Sequence, residues 1–134
     1  MTARATGTFD VKVTPQPPDA YTEGGTLGRL TIDKQFHGDL DAASKGQMLS
    51  GGTAVKGSAG YVAIERVSGT LAGRRGTFIL QHSGTMARGV PQLTITVVPD
   101  SGTEELAGLA GAMTIDTAGG GHAYQFTYTL PGAP

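Results

Sequence analysis

The stretch GYVAIERVSGTLAGRRGTFILQHSG, residues 60–84, contains two runs in which apolar and polar residues alternate, joined by a glycine-rich segment. Alternation with a period of two is the pattern of a half-buried β-strand, because successive side chains point to opposite faces of a sheet. The stretch therefore predicts a β-hairpin. Glu65 and His82 interrupt its apolar face, and they are the first candidates for chemistry.

The register of the hairpin determines whether these two side chains meet. A two-residue turn at Gly73 and Arg74 is expected, since glycine at the first central position permits a type II′ turn. This register places Glu65 directly opposite His82 on an inward-looking face, and a four-residue loop around the same two residues gives the same result. A three-residue loop would place Glu65 opposite Ser83 instead.

The rest of the inward face of this hairpin is apolar and could line a ligand pocket. The expected register pairs Gly69 with Phe78, a ring covering a strand glycine, and pairs Tyr61 with Met86. The expected lining residues of the hairpin are Tyr61, Val67, Phe78, Leu80 and Met86.

Similar alternation recurs from end to end of the chain. The remaining runs lie at 6–14, 30–37, 46–50 (the weakest), 92–98, 109–115 and 122–130, with a turn at Gly38 and Asp39 and a single helical turn that Thr103 could cap. About eight short antiparallel strands predict an all-β sandwich or barrel. We expect a single antiparallel eight-stranded barrel spanning residues 1–134, because closure removes exposed strand edges.

Composition narrows the function classes. With no cysteine among 134 residues, disulfides and thiolate chemistry are excluded, and a cytoplasmic location is the plain expectation. A net charge of −1 without a basic stripe argues against nucleic acid as a partner. No stretch reaches the roughly 20 apolar residues of a membrane-spanning helix, and no secretory signal is expected, because the residues at the start of the sequence contain no apolar run.

A buried carboxylate beside a buried imidazole suits proton transfer. Burial raises the pKa of a carboxyl group and lowers that of a histidine, while their mutual attraction opposes both shifts. Such a pair can hold and pass a proton near neutral pH, which makes Glu65 and His82 the expected catalytic residues. The alternative is a satisfied polar pair, or a pair exposed at the rim of the barrel.

Other candidates are weaker. His122 shares its strand face with Tyr124 and Phe126, which makes these three further candidates for ligand binding, although His122 could equally lie in water at the end of the strand. His37 falls on a polar face and is expected to be exposed. No metal or cofactor is expected, because the three histidines share no ligand spacing and no phosphate-binding or G-x-S-x-G motif occurs.

Four segments resemble an uncharacterised bacterial domain-of-unknown-function family. They are HGDL (37–40), YVAIERVSGTLAGRRGTFILQHSG (61–84), VVPDSGTEELAGLAG (97–111) and HAYQFTYTL (122–130), and the resemblance extends from about residue 27 onward. It implies a calycin-like, allene-oxide-cyclase-like barrel with a central cavity. Related barrels include cyclases that fold a reactive substrate in an apolar lumen, but no catalytic mechanism is transferred by this analogy.

Three functions fit these observations. The first is a cofactor-independent cyclase or isomerase acting on a small hydrophobic molecule, with proton transfer by Glu65 and His82. The second is a non-catalytic carrier or sensor of such a molecule. The third is a filled barrel that acts through its surface or as a homo-oligomer.

Overall fold

The computed structural model describes residues 2–132, which form eight β-strands and one short 3₁₀ helix. Almost all of the regular structure is β, as the alternating sequence pattern predicts. The strands are β1 (Ala3–Pro15), β2 (Leu27–Gly38), β3 (Leu40–Gly52), β4 (Ala59–Leu71), β5 (Arg74–Ala87), β6 (Val90–Val97), β7 (Ala110–Asp116) and β8 (Ala123–Thr129). No helix within the described residues is long and apolar enough to cross a membrane.

The eight strands form a closed antiparallel barrel in which each strand pairs with its neighbours in sequence and β8 returns to β1. The prediction of an all-β, eight-stranded antiparallel barrel is thereby confirmed. Strand β3 is longer than the predicted run at 46–50 because its first half is built from Leu40, Ala42 and Ser44. These three residues are buried and the residues between them are exposed, but alanine and serine give a weak hydrophobic signal.

The turn between β4 and β5 differs from the expected one by one position. Ala72 and Gly73 both have positive φ angles, of 49° and 84°, which is the pattern of a type I′ turn. Glycine was expected at the first central position, and alanine occupies it instead. The left-handed conformation of Ala72 is accompanied by a hydrogen bond from its N–H to the carbonyl of Asp39, 2.8 Å away.

This turn displaces the register by two residues, so the expected pairing of the hairpin is wrong. Glu65 lies opposite Leu80, and His82 lies opposite Ala63. The predicted pairs of Gly69 with Phe78 and Tyr61 with Met86 are likewise absent. The ring that covers a glycine belongs to Tyr61, whose direct partner is Gly84; a Cβ atom there would lie 2.4 Å from the ring.

One end of the barrel is filled and the other is open. Strands β1 to β5 contain 12 to 14 residues each, whereas β6 to β8 contain only 7 or 8. Near the two tight turns at Gly38–Leu40 and Ala72–Gly73, which we call the base, the interior is packed with buried side chains that include Phe36, Val67, Phe78, Leu80 and Phe126. At the opposite end, which we call the mouth, Leu30, Met48 and Tyr61 are only half-buried.

Near the base, a tyrosine hydroxyl connects β8 to the turn between β2 and β3. The hydroxyl of Tyr124 accepts a hydrogen bond from the N–H of Leu40 at 2.9 Å and donates to the carbonyl of His37 at 2.9 Å. Burial raises the pKa of Tyr124, so the hydroxyl keeps its proton. Gly7 makes this approach possible, because a Cβ atom there would lie 2.6 Å from the hydroxyl oxygen.

The connection between β6 and β7 contains the predicted helical turn as a 3₁₀ helix (Glu104–Leu106). The expected cap is absent, since the side chain of Thr103 makes no capping hydrogen bond. Its hydroxyl instead lies 2.8 Å from that of Thr77 and accepts the N–H of Thr77 at 3.0 Å. The side chain of Thr103 therefore attaches the connection to β5 and does not cap the helical turn.

Tyr124→Phe removes the hydroxyl and leaves the buried N–H of Leu40 without its partner. We expect a loss of about 1 to 3 kcal/mol of unfolding free energy, since an unpaired buried donor costs about this much. Urea denaturation should show a lower midpoint with an unchanged slope. Tyr128→Phe is the matched control: its ring is also buried, but its hydroxyl makes no hydrogen bond within residues 2–132. An equal loss in both variants would contradict the proposed role of the Tyr124 hydroxyl.

Candidate functional site

Among residues 2–132, four polar or charged side chains are buried in the interior of the barrel, and they come from four adjacent strands. Lys34 belongs to β2, Ser44 to β3, Glu65 to β4 and His82 to β5, with exposed fractions of 9%, 3%, 0% and 4%. Each occupies an inward position of its strand. Because neighbouring strands lie about 5 Å apart, their side chains can meet, and we call these four residues the polar cluster.

Glu65 is the centre of the polar cluster. Its Oε2 accepts hydrogen bonds from Nζ of Lys34, at 2.8 Å, and from Nε2 of His82. Its Oε1 accepts the hydroxyl of Ser44 at 2.7 Å. The two-residue shift in register leaves Glu65 and His82 as diagonal neighbours on the same face, and a glutamate is long enough to reach a diagonal partner.

The ammonium group of Lys34 is held between the carboxylate and two aromatic rings. Its Nζ lies 5.0 Å from the ring centre of Phe9 and 5.6 Å from that of Phe36. Both distances are within the range of cation–π attraction. Lys34 thus has a counter-ion and two aromatic contacts in the buried interior of the barrel.

Burial acts to raise the pKa of Glu65, but its partners outweigh this effect. The hydrogen bond from His82, the charge and hydrogen bond of Lys34 and the hydrogen bond from Ser44 together lower the pKa of Glu65 from 4.5 to about 2. Glu65 is therefore a carboxylate throughout the neutral range. The attraction foreseen from His82 alone is reinforced by two partners that the sequence reasoning did not include.

An ionised Glu65 fixes the orientation of the His82 ring. A carboxylate only accepts hydrogen bonds, so Nε2 of His82 carries the proton and Nδ1 is the ring nitrogen left free. Within residues 2–132, the one buried side-chain nitrogen or oxygen without a hydrogen-bond partner is Nε of Arg29. Nδ1 of His82 also makes no hydrogen bond among those residues, yet it is not one of the buried atoms that lack a partner. It follows that Nδ1 is in contact with solvent.

The mouth contains a pocket of about 570 Å³, and none of the four residues of the polar cluster is among the described residues that line it. This volume lies within the range of small-molecule sites. Its apolar lining includes Met48, Tyr61, Met86 and Leu93, and Lys56 is the charged residue among the described residues that line it. Along β5 the inward positions run from His82 through Gly84 to Met86, so His82 lies one step below the pocket floor.

Tyr61 connects the pocket with the polar cluster. Its ring lies over Gly84 in the pocket floor, and the ring centres of Tyr61 and His82 are 6.3 Å apart. Burial and the negative charge of Glu65 raise the pKa of Tyr61. The phenol therefore remains a hydrogen-bond donor near neutral pH.

The structure separates the residues expected to line a ligand site. Tyr61 and Met86 lie at the mouth, where Met86 is 43% exposed. Val67, Phe78, Leu80 and Phe126 instead belong to the packed base, in which the rings of Phe78 and Phe126 stack with centres 5.9 Å apart.

The histidine and tyrosine candidates outside the hairpin also lie away from the mouth pocket. The hydroxyl of Tyr124 is occupied by backbone groups near the base. His122 is exposed, with its ring stacked on Phe9 at 4.9 Å between centres. His37 is exposed, as expected, and lies 2.9 Å from Asp10.

Sequence reasoning missed Lys34 and Ser44, although the sequence contained a signal for both. Lys34 lies between Ile32 and Phe36, two residues assigned to the apolar face of the second run. The alternation therefore places Lys34 on the same inward face. Ser44 follows Ala42 with the same spacing but belongs to the half of β3 that the pattern did not detect. A lysine at an inward position is a sign of a buried acidic partner.

The polar cluster should make the fold sensitive to acid. Because the pKa of Glu65 is lower in the folded chain than its ordinary 4.5, its contribution is complete above pH 4.5 and is lost as the pH falls towards about 2. The shift corresponds to about 3 kcal/mol. Unfolding free energies measured between pH 6 and pH 2 should show this loss in the wild type.

The same titration in Glu65→Gln should lack that part of the pH dependence. Asp10→Asn is the matched control, since Asp10 also lies beside a histidine, His37, but is largely exposed. An exposed pair contributes at most about 1 kcal/mol, so this variant should follow the wild-type curve. An acid sensitivity that persists in Glu65→Gln would show that the carboxylate of Glu65 does not carry it.

Comparison with known proteins gives the family. The fold is similar to the crystal structure of a protein with unknown function from the DUF3224 family of Shewanella oneidensis MR-1, with a TM-score of 0.92 and 51% sequence identity over 99% of this chain and 100% of that chain. No functionally curated protein matches the chain. The family model of DUF3224, described as a protein of unknown function, matches residues 5–128. The chain belongs to the DUF3224 family.

Proposed function

We propose that the protein is a cofactor-independent isomerase or cyclase that binds a small hydrophobic molecule in the mouth of the barrel. His82 is the proposed proton-transfer group, and Glu65 is its partner in the catalytic pair. The observation that supports this proposal is a histidine held by a buried carboxylate one step below an apolar pocket of about 570 Å³.

The pairing of His82 with Glu65 has the features of an oriented base. A carboxylate that accepts the N–H of one ring nitrogen fixes the tautomer and the position of the imidazole, which leaves the other nitrogen to exchange a proton. The pKa of about 2 for Glu65 means that the carboxylate does not itself carry the proton at neutral pH. Glu65 is therefore proposed to orient His82 and to stabilise its charged form.

The lining of the mouth defines the proposed substrate. Met48, Met86 and Leu93 offer apolar surface, which favours a hydrophobic body. Tyr61 supplies a hydrogen-bond donor at the pocket floor, and a carbonyl or hydroxyl oxygen of the substrate is a suitable acceptor. The filled base limits how far a ligand can enter, so the predicted contacts of Val67, Phe78, Leu80 and Phe126 with substrate are not part of the proposal.

The proposed reaction conserves the proton. A C–H bond of the bound molecule breaks, the proton moves to Nδ1 of His82, and the electron pair remains on the substrate. In an isomerisation the proton then returns at a different carbon. In a cyclisation it returns at the oxygen or carbon atom that carries the negative charge after ring closure. Substrate and product have the same composition, so the step needs no oxidant or reductant.

A carrier or sensor of the same class of molecule is the second candidate. Among residues 2–132, no buried hydrogen-bonding atom of the Glu65 or Lys34 side chain lacks a partner. A polar cluster with a purely structural role would have the same property. In that case the mouth binds the ligand, Tyr61 orients it and no bond changes.

The two candidates are separated by hydrogen–deuterium exchange into bound ligands. Ligands are first found by thermal shift in a panel of small apolar ketones and hydroxy compounds, and each is then incubated with the protein in D₂O. The enzyme proposal predicts deuterium in a recovered ligand at a carbon-bound position, detected by mass spectrometry. His82→Gln keeps an amide donor for Glu65 but has no base, so the exchange rate should fall by about 10² to 10⁴.

His37→Gln is the matched control, because His37 also lies beside a carboxylate but is exposed; its exchange rate should equal that of the wild type. A ligand that binds both the wild type and His82→Gln with the same affinity, and never exchanges, would favour the carrier. Exchange that survives in His82→Gln would contradict the role of His82.

A further inference from the structure

We infer that Lys34 is a positioning residue that keeps His82 uncharged, so that the polar cluster begins its reaction as a base. The protonation state of His82 follows from the contacts of the cluster alone. Its consequence for the class of substrate rests on the proposed function.

Lys34 and His82 compete for the same oxygen atom. Nζ of Lys34 lies 2.8 Å from Oε2 of Glu65, and Nε2 of His82 donates to that same Oε2. The carboxylate therefore already has a full positive charge beside it. A second proton on His82 would add a like charge beside the same oxygen atom, and a like charge nearby disfavours the charged form.

Within the described residues 2–132, Glu65 is the anion that faces His82, and no second one contacts it. From β4 it meets Glu65 and, at 6.3 Å between ring centres, the neutral phenol of Tyr61. From β6 its direct partner is the apolar Ile95. The third member of the cluster, Ser44 of β3, is uncharged, so the sum of charges is zero with a neutral His82 and +1 with an imidazolium.

Lys34 is also the cation that is fixed in place. Its ammonium group lies over the rings of Phe9 and Phe36 and is 6% exposed as a side chain. These contacts favour a charged group, because the faces of aromatic rings attract cations. Between the two basic groups, the proton therefore stays on Lys34 and the free nitrogen of His82 keeps its lone pair.

A neutral His82 restricts the substrate to molecules that lose a proton first. Carbon acids with a C–H bond next to a carbonyl group belong to this class, whereas compounds that must first be protonated by the protein do not. The C–H bond breaks, an N–H bond forms at Nδ1, and the electron pair moves to the carbonyl oxygen. The enolate charge of −1 balances the +1 that the cluster acquires, and the phenol of Tyr61 can donate to that oxygen.

The inference is tested by ¹⁵N NMR of the histidine side chains, which distinguishes the two neutral tautomers from imidazolium. In the wild type at pH 7 we expect a neutral His82 with its proton on Nε2. An imidazolium at pH 7 would overturn the inference without the need for any variant. His37 and His122, which are both exposed, provide internal references in the same spectra.

Lys34→Met removes the like charge beside His82 and should raise its proton affinity by about tenfold or more, since a nearby charge typically has an effect of this size. Lys34→Gln is a second variant with the same expected change, and it retains a donor for Glu65 should Lys34→Met fail to fold. Lys34→Arg keeps the charge and should restore the wild-type titration. A purely structural lysine predicts the same His82 titration in all folded variants, and that result would overturn the inference.

These measurements need no ligand, so they are independent of the proposed function. The expected titrations without any deuterium exchange would sustain the inference about Lys34 and remove the proposed reaction. Deuterium exchange by a protein whose His82 is an imidazolium at pH 7 would overturn the inference about Lys34 and sustain the proposed reaction.

Discussion

The carboxylate of Glu65 is fully buried, and the interior of the barrel is arranged so that it can remain charged. A lone carboxylate in an apolar interior costs several kcal/mol and would take up a proton instead. Lys34, Ser44 and His82 supply the donors that prevent this, and each comes from a different strand. The pairing of β2, β3, β4 and β5 is thus tied to one ionised group, in addition to the apolar packing at the base.

This constraint connects the fold with the proposed chemistry. The polar cluster lies on β2 to β5, which belong to the long strands of the barrel. The shorter strands β6 to β8 leave the mouth open beside it. A cluster placed deeper, among Phe78 and Phe126, would be inaccessible to a ligand. At the level of His82 it is shielded from bulk water on the base side and lies close to the mouth pocket on the other.

The alternation of the sequence was sufficient to predict the barrel and the faces of its strands, because the period of two does not depend on turn geometry. The turn was predicted wrongly, since a positive φ angle at Ala72 is rare for alanine. The error was two residues, which returns every side chain to the same face, so Glu65 and His82 still share the interior. A shift of one residue would have separated them.

The partners of the pair and the depth of the site required three dimensions. Lys34 lies in the alternating pattern, yet nothing in a single strand shows that its ammonium group reaches a carboxylate two strands away. Equally, the alternation of β5 assigns Phe78 and Met86 to the same inward face, but it does not show that Phe78 is buried in the base and Met86 is exposed at the mouth. Sequence periodicity gives the face of a residue, and the closure of the barrel gives its depth.

The most direct measurement of the central claim is the titration of the Glu65 side-chain carboxyl carbon by ¹³C NMR, with Glu65→Gln used to assign the signal. The account predicts that this carbon keeps the chemical shift of a carboxylate as the pH is lowered through 4.5, and that it titrates only near pH 2 or on unfolding. A Glu65 signal that titrates at pH 4.5 or above in the folded protein would show that the carboxyl group is not held ionised by Lys34, Ser44 and His82, and would contradict the account.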